Sequence, residues 1–407
     1  MQRSRLRDLL ALGAAGAVTV TALAIPAGAD NQGAAGWKAK TVRFATFNAS
    51  LNRTAAGELV QDLSTKEDPQ AREAAEVIQR ARPDVLLINE FDYVRRNKAA
   101  DLFRKNYLEV AQQGADPIRY RYAYTAPSNT GVPTGFDLDR DGSTTGPGDA
   151  HGFGTFEGQY GMLVLSKYPI DTRKIRTFRK FRWQDMPGAM LPDDPATDAP
   201  ADWYSPEQLK VLRLSSKSHW DVPIRTGRST VHFLVSHPTP PVFDGPEDRN
   251  GTRNHDEIRL WADYLTPGKE RYIYDDKGRR GGLKPGSRFV VAGDQNADPV
   301  DGDSVQAAVT QLLDAPRVRD PKPTSDGAVV AAEQQGGAND QHQGDPALDT
   351  GDFSDTSPGN LRADYVLPSR GLPVRQAGVF WPTPDDPLAR LNDASDHHLV
   401  WVEVKRR

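Results

Sequence analysis

The sequence predicts a mixed α/β fold in which layers of strands and helices pack around one core. Short apolar runs rich in β-branched and aromatic residues recur along the chain, a composition typical of strands. Segments with apolar residues three and four positions apart lie between some of these runs and predict helices. The 35 glycines and 31 prolines cluster between the runs, so we expect long surface loops on one globular domain.

Seven segments have the composition of strands: Val42–Phe47, Val85–Ile88, Met162–Leu165, Val231–Val235, Phe289–Val291, Tyr365–Leu367 and Leu399–Val404. The periodicity predicts two helices, over Gln70–Arg82 and Asp256–Leu265. Three polar or glycine-rich stretches predict irregular insertions: Pro127–Gly158, Gln184–Pro206 and Asp320–Asn360.

The first 29 residues have the pattern of a secretory signal peptide. Three arginines among the first seven residues precede the uncharged stretch Leu9–Pro26, and Ala27-Gly28-Ala29 then offers the small-x-small pattern of a cleavage site. A membrane anchor is the alternative, because the apolar run approaches spanning length. The run is rich in Ala, Gly and Thr, however, so we expect cleavage and a secreted, extracellular domain at residues 30–407.

Charge and cysteine content limit the classes of function. The net charge is −4, and removal of three Arg and one Asp with the signal peptide changes it to −6. Such a protein is not a general polyanion binder, although it can bind nucleic acid locally. The chain has no cysteine, so the fold must be stable without disulfides, as a core of this size permits. We expect a monomer without stable membrane insertion.

Polar side chains recur where the predicted strands begin or end. Asn48, Glu90, His237, Asp294 and Asn296 follow strands, whereas Asp364, Asp396 and His397 precede them. Loops held by a rigid sheet are common places for functional sites. Each residue alone has an ordinary alternative role in a turn or cap, but turn chemistry does not explain why histidines and carboxylates recur at strand ends.

The chemistry of this set combines hard oxygen ligands with imidazoles and includes no thiol. Glu90, Asn48 and Asp396 are suited to hold Mg²⁺, or alternatively Mn²⁺ or Ca²⁺. Phosphate-ester hydrolysis needs an activated water, neutralisation of developing charge and a proton for the leaving group. A metal with His and Asp side chains supplies all three, so the sequence predicts a metal-dependent phosphoesterase.

These motifs resemble those of the endonuclease/exonuclease/phosphatase superfamily, the DNase I-like proteins, in a secreted bacterial branch. The segments that carry the resemblance are Gly-Asp-Gln-Asn at 293–296, Ser-Asp-His-His at 395–398 and the strand at 161–170 with its Leu-Ser-Lys-Tyr-Pro-Ile ending. The resemblance extends from Val42 to Val404. It implies a four-layered α/β sandwich, with two mainly antiparallel sheets flanked by helices, and a hydrolase acting on phosphate esters.

The resemblance also implies the metal ligands. Glu90 is expected to be the principal ligand, with Asn48 beside it and Asp396 next to the metal. One departure is Asn89, which stands where the family usually has Gln before the metal-binding Glu. A second concerns Gln159-Tyr160, which occupies the place of a Glu or Tyr that supports a histidine in nucleases; the sequence does not decide which of the two would do so here.

The remaining roles implied by the resemblance concern the reaction itself. His397 is expected to be the general base, oriented by Asp364. Asp294 is expected to position the attacking water, and Asn296 to contact the phosphate. His237 is expected to stabilise the charge of the transition state or to protonate the leaving group.

Two further segments leave alternatives open. Asp137, Asp139 and Asp141 precede a glycine as in a calcium-binding loop, but position 12 of that loop is Gly148, with Asp149 next. A structural Ca²⁺ site and a solvated turn are both possible. The basic, aromatic-interleaved run Arg173–Arg182 is expected either to follow a phosphate backbone or to form a solvated strand face.

The segment that follows His237 also has two interpretations. Arg253, Asn254 or His255 is expected to reach the substrate, and the alternative is that Asn254 caps a helix. The substrate itself cannot be read from the core. We expect a phosphate ester such as extracellular nucleic acid or an inositol phosphate. The alternative is a catalytically silent secreted protein that binds a polyanion.

Overall fold

The computed structural model describes residues 41–406, and the expected signal peptide lies outside them. The described chain contains eleven strands: β1 (Thr41–Asn48), β2 (Val85–Asn89), β3 (Tyr122–Tyr124), β4 (Met162–Ser166), β5 (Arg176–Thr177), β6 (His219–Thr226), β7 (Ser229–Ser236), β8 (Arg288–Asp294), β9 (Asp364–Pro368), β10 (Val374–Phe380) and β11 (Leu399–Lys405). All seven strands predicted from the sequence are confirmed. The other four, β3, β5, β6 and β10, were not predicted.

The strands form two sheets. The first has six strands in the order β10-β11-β1-β2-β4-β3, and the second has five in the order β5-β6-β7-β8-β9. Each sheet contains one parallel pair, β1 with β2 and β7 with β8, and the remaining neighbours are antiparallel. The expectation of two mainly antiparallel sheets is therefore confirmed.

Seven α-helices lie in the described part of the chain: α1 (Glu58–Leu63), α2 (Pro69–Ala81), α3 (Lys98–Phe103), α4 (Pro206–Val211), α5 (Arg249–Leu265), α6 (Thr310–Leu313) and α7 (Asp326–Gln335). Both predicted helices are confirmed as α2 and α5. Helix α2 begins where the Asp68 side chain accepts a hydrogen bond from the Ala71 amide at 2.7 Å, and it ends at Arg82 in a left-handed conformation.

Helix α5 begins at Arg249, seven residues earlier than the periodicity predicted. Helix α7 lies inside the 320–360 stretch that was predicted to be irregular, so that prediction was wrong for this segment. Its Gly- and Ala-rich sequence offers no strong apolar period, and the helix is defined instead by the Ser325 cap on the Ala328 amide and by burial of Ala328.

Three apolar clusters show how the layers pack. One fills the space between the two sheets, including Phe44, Leu87 and Phe233. The second packs the outer face of the first sheet against α1, α2 and α3, and the third packs the outer face of the second sheet against α5 and α6. The order helix, sheet, sheet, helix confirms the four-layered sandwich.

No helix within residues 41–406 is long and apolar enough to cross a bilayer.

Candidate active site

The two parallel pairs bring the polar strand ends together at one edge of the sandwich. Asn48 lies opposite Asn89 at the carboxyl ends of β1 and β2. In the second sheet Asp294 ends β8 opposite Asp364, which begins the antiparallel β9. Since the carboxyl ends of parallel strands share an edge, the loops that carry the candidate residues converge there.

The backbone at this edge is held in uncommon conformations. Gly293 has φ 147°, and a Cβ there would lie 2.0 Å from the Ser236 carbonyl oxygen, so only glycine permits β7 and β8 to approach. Glu90 and Asn296 have φ of 57° and 50°, in the left-handed region that non-glycine residues avoid. Such strain costs roughly 1–3 kcal/mol per residue and is concentrated at functional sites.

Asp294 is the centre of the cluster. Its Oδ2 accepts a hydrogen bond from Asn48 Nδ2 at 3.1 Å and lies 3.3 Å from His237 Nε2 and 3.5 Å from His397 Nε2. Its Oδ1 accepts from the Asn296 amide at 2.8 Å. Burial raises the pKa of Asp294 to about 7, although nearby His397 opposes the rise. One carboxylate therefore joins both imidazoles.

His397 is held from its other side by Asp364. His397 Nδ1 lies 2.7 Å from Asp364 Oδ2, and the same oxygen accepts from Thr350 Oγ1 at 3.0 Å. In this contact His397 carries a proton on Nδ1 and donates it in a hydrogen bond to Asp364, while Nε2 is directed towards Asp294. Burial alone lowers the pKa of His397, but the carboxylates of Asp364 and Asp294 outweigh burial and raise it well above the usual range.

His237 has the opposite electrostatic setting. Burial lowers its pKa well below the usual range, and the positive charges of Lys217 and His397 add to the fall. Its Nδ1 is buried and has no hydrogen-bond partner among the described residues. Since this nitrogen is unpaired, neither Gln159 nor Tyr160 supports it. Gln159 binds the Arg53 carbonyl oxygen and the Thr155 amide instead.

Glu90 lies beside this cluster. Its Oε2 accepts a hydrogen bond from Asn52 Nδ2 at 2.8 Å, and burial raises its pKa while His397 and a hydrogen bond from Asn48 oppose the rise. Asp396 is close enough to raise the pKa of Glu90 further, and its Oδ1 accepts from Ser50 Oγ at 3.3 Å. Asp294, Asp364 and His397 form a second group of the right spacing for a cation.

The donor set fits a hard divalent cation. It consists of carboxylate and amide oxygens, and the raised pKa values of Glu90 and Asp294 show that their negative charges are disfavoured by burial. A bound cation would offset that cost. The structure brings Asn48 and Asp396 close to Glu90, although the three-residue group with ligand spacing consists of Asp294, Asp364 and His397.

Lys217 is a residue that the sequence analysis missed. It is 8% exposed, and its Nζ donates to the Pro238 carbonyl oxygen at 3.3 Å. Asn296 Nδ2 donates to the same oxygen at 3.3 Å. Lys217 Nζ and Asn296 Nδ2 are therefore close neighbours that share one acceptor. Burial lowers the pKa of Lys217, while Glu257, Glu90 and Asp294 oppose the fall. Lys217 lies just before β6, a strand that the sequence analysis did not predict, so no sequence signal pointed to this residue.

Two buried residues organise these loops. Asn89 accepts hydrogen bonds from the Thr46 hydroxyl and the Asp294 amide at 3.3 Å each, which ties the end of one sheet to the other. Glu257 on α5 accepts from the amides of Ser216 and Thr239 at 2.7 Å each. It therefore joins the loop that carries Lys217 to the loop that carries His237.

The segment 253–255 supports the site from within α5. Arg253 is buried and donates to the carbonyl oxygens of Leu214 and Arg213. Asn254 Nδ2 donates to the carbonyl oxygens of Thr239 and Gln295. Asn254 lies inside the helix, so the alternative that it caps the helix was wrong.

The acidic loop between β3 and β4 brings together a different set of carboxylates from the one predicted. The carboxylates of Asp137, Asp139 and Asp149 lie within 4.8 Å of one another, whereas Asp141 accepts a hydrogen bond from the Ser143 amide. Asp149, one residue beyond position 12, therefore completes the group of closely spaced carboxylates, which does not include Asp141. A side chain at Gly148 would displace the Asp139 carboxylate, since a Cβ there would lie 2.0 Å from Asp139 Oδ2.

The basic run 173–182 forms the edge strand β5 and the turn after it. Arg176 pairs with Asp275 at 3.0 Å and Arg182 with Asp185 at 2.9 Å, and Phe178 and Phe181 are fully buried. Arg176 is thus engaged inside the protein, whereas Arg182 forms its ion pair at the surface.

Comparison with known proteins identifies the family. The family model described as Endonuclease/Exonuclease/phosphatase family matches residues 45–397. No curated protein matches the sequence. Similar solved structures include an endonuclease/exonuclease/phosphatase from Beutenbergia cavernae DSM 12333, with 15% identity over 90% of this chain and 72% of that chain and a TM-score of 0.47.

Two other similar structures have a more specific description. Sphingomyelinase C from Streptomyces griseocarneus has 16% identity over 90% of this chain and 99% of that chain, with a TM-score of 0.43. The human Nocturnin catalytic domain has 13% identity over 90% and 93%, with a TM-score of 0.45. The family match over residues 45–397 is decisive: the chain belongs to the endonuclease/exonuclease/phosphatase family, whose members are metal-dependent hydrolases of phosphate esters.

Proposed function

We propose that this protein is a secreted phosphoesterase in which Asp364, His397, Asp294 and His237 catalyse the attack of water on phosphorus. The observation that carries the proposal is their connected geometry. Asp364 lies 2.7 Å from one nitrogen of His397, and Asp294 lies within 3.5 Å of both histidines. These contacts provide a proton acceptor, its orienting group and a carboxylate between the two imidazoles.

The attacking water is assigned to the region between His397 Nε2 and Asp294 Oδ2. His397 accepts one proton as the water oxygen bonds to phosphorus, and Asp294 accepts a hydrogen bond that directs the lone pair. Asp364 stabilises the imidazolium that results. The raised pKa of His397 means that it must lose a proton before it can act, so this role requires activity to increase with pH.

The leaving oxygen departs as its bond to phosphorus breaks, and its developing negative charge needs a hydrogen-bond donor. We assign this role to an N–H of His237, whose imidazole stays neutral because its pKa is lowered. Asn296 Nδ2 and Lys217 Nζ, both bound to the Pro238 carbonyl oxygen, are assigned to the non-bridging phosphoryl oxygens. Donors fixed in a buried site stabilise developing negative charge without reorganisation.

The cation is assigned to Glu90, with Asn48 and Asp396 beside it. When bound it would act as a Lewis acid on a phosphoryl oxygen. Mg²⁺ is the proposed ion, and Mn²⁺ and Ca²⁺ are the alternatives, because all three prefer oxygen ligands.

The group Asp137, Asp139 and Asp149 is proposed to hold a structural Ca²⁺. The Oδ1 atoms of Asp137 and Asp139 are buried without a hydrogen-bond partner in the described chain, which leaves them available to a cation. This site is distinct from the catalytic one, since its residues lie in the insertion between β3 and β4.

The experiment that tests the function is phosphate or fragment release by the mature protein. The substrates are plasmid DNA, RNA, inositol hexakisphosphate, sphingomyelin and bis(p-nitrophenyl) phosphate, each with Mg²⁺, Mn²⁺, Ca²⁺ or chelator. We expect release that depends on a divalent cation. Binding of nucleic acid without release from any substrate would favour the silent polyanion binder.

Secretion rests on the signal-peptide pattern of residues 1–29. Expression in a secreting bacterial host should give a monomeric protein in the medium that begins at Asp30. N-terminal sequencing of a membrane fraction that retains Met1 would contradict this proposal.

A further inference from the structure

A strongly cationic surface lies on the helical side of the first sheet, next to the candidate active site. A cavity of about 360 Å³ is lined by Arg95, Arg96, Lys98, Lys105, Asp101 and Leu102. A second cavity of about 450 Å³ shares Asp101 and Lys105 with it and adds Arg119 and Arg121. We define Arg95, Arg96, Lys98, Lys105, Arg119 and Arg121 as the cationic track.

Most of these charges have no partner within the protein. The side chains of Arg95, Arg96, Lys98, Lys105 and Arg121 form neither a hydrogen bond nor an ion pair with any described residue. Asp101, the acid in the first cavity, is paired with Arg104. In a chain of net charge −4, such a concentration of unpaired cations creates a local positive field that attracts anions.

The track begins at the active-site edge. Arg95 lies five residues after Glu90, so the two Cα atoms are separated by no more than about 18 Å. The backbone there is fixed in unusual conformations, with φ of 61° at Arg96 and 56° at Asn97, and Asn97 Oδ1 accepts a hydrogen bond from Thr125 Oγ1 at 2.6 Å. The arginines are therefore presented by a defined turn.

The track ends at the opposite edge of the sheet. Arg119 and Arg121 immediately precede β3, whose Tyr122 pairs with Ser166. Ser166 in turn lies opposite Val85, the first residue of β2, whereas the active-site edge is at the other end of that strand. The cations thus extend along the length of a five-residue strand, roughly 17 Å.

We propose that the cationic track binds the phosphate backbone of a nucleic acid whose scissile phosphate lies at Asp294 and His397. This inference rests on the proposed phosphoesterase function and specifies its substrate class. The extended arrangement favours a linear polyanion with repeated phosphates over a compact phosphorylated molecule. Leu102 is the apolar side chain in the first cavity. Tyr120 lines the second, but it is buried and its hydroxyl donates to the Pro83 carbonyl oxygen. The residues that line the two cavities thus offer charge without an exposed ring for stacking, and binding should be independent of base sequence.

The test is equilibrium binding of a fluorescein-labelled, 20-nucleotide single-stranded DNA in chelator, measured by anisotropy from 50 to 200 mM salt. The variant carries R95Q, R96Q, K98Q and K105Q. We expect its Kd to increase about 10- to 100-fold at 100 mM salt. The slope of log K against log salt should decrease in magnitude by about 2 to 3, since each phosphate contact on a single strand contributes about 0.7.

The matched control carries R228Q, K269Q, R271Q and K284Q, which removes two arginines and two lysines that are exposed and form no ion pair in the described structure. The control should bind like wild type, and both variants should retain wild-type melting temperatures and wild-type kcat/KM on bis(p-nitrophenyl) phosphate. An unchanged Kd and salt slope in the track variant, or equal losses in the control, would overturn the proposal.

Inositol hexakisphosphate serves as a competitor arm. Loss of its binding in the track variant, without loss of DNA binding, would assign the surface to a small polyanion and refute the nucleic-acid proposal. The binding assay contains chelator and needs no turnover. Its outcome therefore tests the cationic track whether or not the protein hydrolyses a phosphate ester. Failure of hydrolysis on every substrate would instead contradict the proposed function.

Discussion

Replacement of Asp364 by Asn tests how the imidazole of His397 is controlled. The substitution keeps an oxygen that can accept from Thr350 Oγ1 and His397 Nδ1, which now bind Asp364 Oδ2 at 3.0 and 2.7 Å. It removes the negative charge that raises the pKa of His397. The Oδ1 position is buried and unpaired, so an amide nitrogen there finds no acceptor among the described residues and should cost roughly 1–3 kcal/mol of stability.

The magnitude follows from this contact. A hydrogen bond to a charged group contributes roughly 1.5–3 kcal/mol, and each 1.36 kcal/mol of lost transition-state stabilisation lowers the rate tenfold. We therefore expect kcat of Asp364→Asn to decrease about 10- to 150-fold, with little change in KM. In addition, the acid limb of the pH–kcat profile should move to lower pH, because the neutral, active form of His397 then persists at more acidic pH.

The assay is kcat against pH from 5 to 10 with saturating divalent cation and bis(p-nitrophenyl) phosphate. Wild type should gain activity as pH increases through a pKa above the ordinary histidine value of about 6.5. The reasoning is refuted if wild-type kcat decreases across that range, which would make His397 act in its protonated form, or if the limb of the variant moves to higher pH.

Three further predictions concern the charges of the cluster and the acidic loop. Glu90→Gln should raise the divalent concentration for half-maximal activity at least about tenfold, and full wild-type activity in excess chelator would contradict the metal assignment. The pKa of Asp294 is about 7 in the folded protein and about 3.9 in the unfolded chain, so the native state binds more protons between these values and stability decreases as pH increases through that window. The free energy of unfolding of Asp294→Asn should therefore exceed that of wild type by about a few kcal/mol at pH 8 in chelator. A denaturant titration that finds the variant less stable than wild type would contradict this sign. Ca²⁺ at about 100 times its Kd should stabilise wild type by about 2.7 kcal/mol. Asp149→Asn should abolish this stabilisation, whereas Asp141→Asn should retain it. Equal shifts of the melting temperature on addition of Ca²⁺ in the two variants would exclude the site.

Much of the fold could be predicted because its core strands are short, β-branched and bounded by turns. Most residues of the seven predicted strands are buried in the structure. The missed strands have other compositions: β6 contains His, Trp, Asp and Pro, and β10 has exposed Arg and Gln in its first half. Their strand conformation is set by pairing with neighbours, which local composition does not encode.

The candidate site was predictable where short motifs carry the chemistry. Asp294 and Asp364 come together because β8 pairs with β9, and packing of the first sheet against the second brings His397, just before β11, beside them. Lys217 and Glu257 were not predictable, because each acts through long-range contacts: Lys217 reaches the Pro238 carbonyl oxygen across 21 positions, and Glu257 reaches Ser216 across 41. Only the packing of α5 on the sheet creates those contacts.

The adjacent histidines His397 and His398 give the most direct test of the catalytic account. His397 contacts Asp364 and meets the Phe353 ring edge-on at 5.2 Å, whereas His398 stacks on Trp381 at 3.7 Å and burial lowers its pKa to about 3. Phenylalanine keeps a ring at either position while removing the nitrogens. With kcat on bis(p-nitrophenyl) phosphate as the measurement, His397→Phe should lose about 10²- to 10⁴-fold and His398→Phe should stay within a few-fold of wild type. Loss of turnover in folded His398→Phe, with His397→Phe near wild type, would contradict the account.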